Sequence, residues 1–113
     1  MTQITEHSLR IAVITPTGRI DAFNAPDLRT ETHKLLDDGV SRLIIDLTAV
    51  TFCDSAAMAV FVSALKRARL ANGDVKLVWP ITEAARRIFT LTKFDRVFAM
   101  TDSVSNAMAA FGG

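Results

Sequence analysis

LIIDLTAVTFCDSAAMAVFVSALKRAR, Leu43–Arg69, starts as an apolar run, crosses a short connection and turns helical at Asp54-Ser55. The run preceding the connection, RLIIDL at Arg42–Leu47, is short and almost unbroken in its hydrophobicity. That is the signature of a central strand covered on both faces. After Ser55 the period changes: Met58, Phe61, Val62, Leu65 and Ala68 recur at helical spacing, with Ser63, Lys66, Arg67 and, beyond the helix, Lys76 expected on the wet side. Strand, connection and long helix in this order read as half of a crossover unit.

The pattern repeats outward in both directions. Upstream, Ile11, Val13 and Ile14 predict a strand, PTG at Pro16–Gly18 is turn chemistry, and Ile4 fits an edge strand before it. RIDAFN then leads into a helix in which Asn24 is the expected N-cap and Pro26 suits the first turn. Leu28, Thr32, Leu35 and Leu36 give that helix its buried face, and Gly39 closes it. Downstream, ANGD at Ala71–Asp74 ends the long helix, and VKLVW, closing on a packed Trp79, is the next strand. Thr82 caps a helix containing Ala85, Ile88, Phe89 and Leu91. RVFAM predicts a last short strand, and Asp102 or Ser103 caps a final helix ending near Phe111. Alternating strands and helices imply an α/β architecture: a mixed, mainly parallel sheet of four to five strands with about four helices.

Composition narrows the function classes. The 113 residues suit a single domain over 1–113, and half of them are hydrophobic, sufficient for a core without disulfides or metal. Thirteen basic and twelve acidic side chains leave a net charge of +1, so no global field favours nucleic acid or an anionic membrane. Cys53 is the only cysteine, which leaves no disulfide framework and no zinc spacing. It reads as a small buried hydrophobe in a protein of the reducing cytoplasm. His7 and His33 have no partner ligands at helical spacing, so no metal is expected. No glycine-rich phosphate loop is present, and no cofactor is expected. The longest unbroken apolar run, Ala56–Val62, falls far short of the ~20 residues that span a bilayer.

Asp54-Ser55 has two readings. Both residue types are favoured N-caps, because their oxygens accept otherwise unpaired helix N–H groups. A hydrolytic nucleophile does not fit: Ser55 lacks the G-x-S-x-G elbow, and neither histidine is near it in sequence. A hydroxyl at the positive end of a helix is, however, a place where an added phosphoryl group finds N–H donors and a favourable dipole. It would bring about −1.5 to −2 charges beside Asp54. Such a change alters the surface without unfolding the domain.

Three blocks, GRIDAFNAPDLR (Gly18–Arg29), LIIDLTAVTFCDSAAMAV (Leu43–Val60) and ARRIFTLTKFDRVFAMTDSVSNAMAAF (Ala85–Phe111), resemble the STAS-domain anti-sigma factor antagonists of bacteria. The resemblance implies the STAS fold and partner switching. An unphosphorylated antagonist binds an anti-sigma factor, a serine kinase of the histidine-kinase ATPase type, and thereby frees a sigma factor. The anti-sigma factor phosphorylates the antagonist, and a PP2C-type phosphatase reverses it. By position, the implied acceptor is Ser55, with Asp21 and Asp54 as acidic neighbours and Ala56, Ala57 and Met58 completing the partner-binding set. The antagonist itself is no enzyme and is expected to be a monomer. The family pattern after the serine is Ser or Thr, Gly, a large apolar residue, then Gly or Ala; Ala56 and Ala57 depart from it. Ala57 in place of glycine favours the helix by about 1 kcal/mol and is expected to put a methyl where a kinase backbone comes close. The altered loop leaves room for another role of the same fold, an accessory subunit that binds the ATPase of a lipid-transport ABC complex without a phosphorylation switch.

Overall fold

The chain alternates strand and helix as its periodicity predicts, and a computed structural model describes residues 2–6 and 10–112. His7 lies outside the described residues. The elements are β1 (Thr2–Glu6), β2 (Ile11–Pro16), β3 (Gly18–Ile20), α1 (Ala25–Asp37), β4 (Arg42–Asp46), β5 (Val50–Cys53), α2 (Ser55–Leu70), β6 (Asp74–Val78), α3 (Glu83–Leu91), a 3-10 turn at Phe94–Arg96, β7 (Ala99–Thr101) and α4 (Val104–Ala110). The main sheet has five strands in the order β1-β2-β4-β6-β7. β1 runs antiparallel to β2, and the remaining pairs are parallel.

β4 is the middle strand, as its apolar run requires. Leu43 and Ile45 point into the larger core with α1, α2 and α3, whereas Ile44 points to the opposite face under α4. All three are fully buried, and each contributes about 1.5–3 kcal/mol by leaving water. On α2 the buried stripe is wider than Met58, Phe61, Leu65 and Ala68 alone: Ala57, Val60 and Ala64 join it, and Val62 is half-exposed. Small residues there let α2 approach the sheet closely. No helix is long and apolar enough to cross a membrane among the described residues.

Several expectations need correction. β3 and β5 form a separate two-stranded parallel sheet, where the sequence predicted only a turn and a connection. Both are very short, and β5 shows no clean alternation of buried and exposed residues, so neither stands out locally. Asn24 precedes α1 but does not cap it with its side chain; its two polar ends serve the turn before the helix instead. The last strand is Ala99–Thr101, because Phe94–Arg96 coils into the 3-10 turn. Leu91, within α3 as expected, is exposed. Lys93 does take the left-handed conformation, at φ 62°, that a helix-ending glycine would otherwise supply.

The charged face predicted on α2 is partly engaged. Arg67 donates to Asp37 at 2.6 Å and to His33 Nδ1 at 3.1 Å, bridging α1 and α2. Lys76, in β6, is largely covered rather than solvated as expected, with its ammonium 4.7 Å from the Phe111 ring centroid and 3.5 Å from Asp74. Trp79 packs as expected, edge-on to Phe89 at 6.4 Å between centroids.

Candidate functional site

The β3–β5 pair builds the site. Ile20 is in register with Cys53, so the residues that follow each strand, Asp21 and Asp54, emerge side by side. α1 and α2 begin just beyond them, and their N-termini are therefore neighbours. The backbone N–H of Asp54 donates to the Ile20 carbonyl at 3.2 Å, continuing the ladder one residue past the strands.

Asp54 is the N-cap of α2 in extended conformation. Its Oδ1 accepts the N–H groups of Ala56 at 2.9 Å and Ala57 at 3.1 Å. Its Oδ2 accepts the N–H of Ala22, in the turn before α1, at 2.9 Å. Asp21 works within that turn: its Oδ1 accepts the Phe23 N–H at 3.0 Å, and its carbonyl accepts from Asn24 and Ala25. The two acids that the resemblance put beside Ser55 are thus brought together, each with a structural task.

Ser55 is the first residue of α2 and is exposed. The expectation that a phosphate there would find free helix N–H groups is corrected in one respect. The N–H groups of Ala56 and Ala57 already bind Asp54, so those two donors are not free for an added phosphate.

The rest of the predicted set divides. Ala56 is half-buried and reaches the surface. Ala57 is 0% exposed, so its methyl belongs to the core and cannot crowd an approaching backbone; the expected obstruction is absent. Met58 is also a core residue at 6% exposed, although it lines the floor of a groove beside Ser55. Cys53 is buried next to it, and burial together with the Asp54 carboxylate pushes its thiol up to about 12. It is a packing residue, as its sequence context predicted.

Two hollows flank the α2 ridge that Ser55 heads. The larger, about 610 Å³, lies between α2 and the α3 end, walled by Ser55, Ala59, Val62, Ile88, Thr92 and Phe94. The smaller, about 290 Å³, lies toward α1 and is lined by Ala22, Ala25, Pro26, Ala56, Ala59 and Val60, with Arg29 at its edge. Ala59 belongs to both. The α3 and 3-10 residues of this surface were not found from the sequence, because their own helix carries no motif; only their packing against α2 brings them to Ser55. No cluster of metal-ligating side chains occurs among the described residues.

Comparison with known proteins agrees with this fold. The family model described as STAS domain matches residues 2–107. A putative anti-sigma factor antagonist of Thermotoga maritima is 32% identical over 99 residues, covering 87% of each chain. The crystal structure of an anti-sigma factor antagonist from Mycobacterium paratuberculosis superposes with a TM-score of 0.86 at 26% identity, covering 97% of this chain and 92% of that one. The fold is also that of the anti-sigma factor antagonist SpoIIAA in its unphosphorylated form, with a TM-score of 0.80 at 18% identity over 100% of this chain and 99% of that one.

Proposed function

The chain belongs to the STAS domain family, and from that premise we propose that it is an anti-sigma factor antagonist switched at Ser55. In the unphosphorylated state it binds an anti-sigma factor that is a serine kinase of the histidine-kinase ATPase type, and a sigma factor is released. The kinase ends the complex by phosphorylating Ser55: the hydroxyl oxygen bonds to the γ-phosphorus of ATP, ADP leaves, and the hydroxyl proton passes to the kinase. A PP2C-type phosphatase restores the serine. The role is regulatory and not enzymatic, in keeping with relatives described as antagonists. The protein acts as a cytoplasmic monomer.

The observation that carries this reading is an exposed Ser55 at the head of the α2 ridge, on the wall of one apolar hollow and next in sequence to Ala56, which lines a second. A partner that fills the larger hollow, which Ser55 lines, brings apolar surface beside that residue. Adding about −1.5 to −2 charges there makes the same contact bury an anion next to Asp54, which is strongly unfavourable unless the partner supplies a cation. The inward-pointing Ala57 methyl supports the reading too, since the departure from glycine leaves the outer surface open.

The test pairs the full chain with each purified anti-sigma factor of the histidine-kinase ATPase type encoded by the source genome, with ATP. One of them should add a single phosphate, mapped to Ser55 by mass spectrometry and absent from Ser55→Ala. The same kinase should bind Ser55→Asp more weakly than the unmodified chain. Absence of phosphate on Ser55 with every kinase, together with co-purification with a transporter ATPase, would transfer the chain to the accessory-subunit role.

A further inference from the structure

The turn between β3 and α1 presents an entire aromatic ring to solvent from a backbone that is tied down at almost every step. Phe23 is 93% exposed. Around it, Asn24 Oδ1 accepts from the Asp21 N–H and Asn24 Nδ2 donates to the Arg19 carbonyl, at 2.9 and 2.8 Å. The Phe23 N–H itself is taken by Asp21 Oδ1, and the Ala22 N–H by Asp54 Oδ2. A scattered exposed apolar residue is ordinary. A fully exposed phenylalanine on a turn this constrained is not, because the local alternative is close at hand.

That alternative is the hydrophobic staple. A large apolar residue just before a helix cap usually folds back on the residue four positions into the helix, here Leu28. Leu28 is buried at 4% exposed, and the Phe23 ring stands away from it. The turn that carries the ring also adjoins the Ser55 face. Ala22 beside it lines the smaller hollow together with Ala56 and Ala59, and Ala22 is bonded to the residue that immediately precedes Ser55.

We propose that Phe23 is the aromatic anchor of the interface with the anti-sigma kinase, its ring entering an apolar pocket on that partner while the partner's surface covers the hollow next to it. This rests on the partner-switching reading given above. Interfaces draw most of their affinity from a few rigid, fully desolvated side chains. The constrained turn means that little loop freedom is lost when the ring is captured. The anchor and the switch are then separate parts of one contact: Phe23 holds the partner and Ser55 decides whether it stays.

The experiment measures binding of the wild-type chain, Phe23→Ala, Phe23→Trp and Ser55→Asp to the same purified panel of kinases by calorimetry, with thermal melting of each variant. The kinase that binds the wild type should bind Phe23→Ala about 30-fold or more weakly at an unchanged melting temperature, and Phe23→Trp should bind near the wild-type level. Phe23→Ala binding within threefold of wild type, while Ser55→Asp remains weak, overturns the anchor and leaves the switch standing. A wild-type chain that binds no member of the panel overturns the partner-switching reading, and the anchor with it.

Discussion

The Asp54 carboxylate joins α2 to the Ala22 backbone N–H, 32 residues earlier in the chain, at 2.9 Å. Its other oxygen caps its own helix through Ala56 and Ala57. One side chain therefore starts α2 and holds the turn before α1 beside it. Shape at the site depends on this carboxylate independently of any phosphate.

Replacing Asp54 tests that double role. Asp54→Ala removes the cap and the cross-link together, and should destabilise the fold by about 1–3 kcal/mol in urea unfolding. Asp54→Asn keeps an oxygen for Ala56 and Ala57 but turns an amide toward the Ala22 N–H. It should unfold at an intermediate concentration, with faster exchange of the Ala22 amide. Unchanged exchange at Ala22 in both variants would show that the cross-link does not hold the turn.

A second prediction concerns pH. Arg67 can only donate, so its bond to His33 Nδ1 makes that nitrogen an acceptor and leaves the proton on Nε2, which lies 3.1 Å from Ser63 Oγ. Burial, Arg29 and Arg67 lower the His33 pKa below the ordinary 6.5, with Asp37 opposing them. The unfolded chain therefore binds a proton that the folded chain resists. Stability should be full above pH 6.5 and decline as pH falls below it. His33→Gln, which presents a neutral amide at every pH, should flatten this part of the profile; an identical decline in that variant would assign it to other groups.

Cys53 should be chemically silent in the native protein. The residue is 4% exposed and its thiol pKa is pushed up to about 12, so almost no thiolate exists near neutrality. An aromatic disulfide reagent at pH 8 should label the unfolded chain at once and the folded chain only at the rate of opening. Immediate labelling of the native protein would contradict its burial.

Gly73 is a position where only hydrogen fits. A Cβ built there would lie 1.8 Å from the Ser41 carbonyl oxygen, which also accepts the Asp74 N–H at 3.0 Å. Gly73→Ala must push the entry of β6 away from β4. A loss of about 3 kcal/mol is expected, and a melting temperature equal to wild type would mean that this approach is looser than it looks.

Much of the architecture was legible along the chain. RLIIDL identified the central strand because an uninterrupted apolar run needs cover on both faces, and α4 and the other helices supply it. Thr82 was recognisable as a cap, and of the two candidates Asp102 and Ser103 it is Ser103 that caps the last helix; both Thr82 and Ser103 accept backbone N–H groups. Asp54-Ser55 stood out because a strand-to-helix boundary concentrates unpaired N–H groups. Asn24 misled for the same reason: its residue type fits a cap, but its side chain bonds Arg19 and Asp21 instead.

What the sequence determined by itself rests on neighbours along the chain: strand and helix periods, caps, and a hydroxyl placed where α2 begins. Tertiary structure alone decided that β3 pairs with β5, that Asp54 reaches Ala22, that Ala57 faces inward and that Phe23 faces outward. Those outcomes depend on which distant segments pack together. A hydrogen bond across 32 residues leaves no periodic trace, and the direction of a methyl or a ring is settled by what already occupies the space beside it.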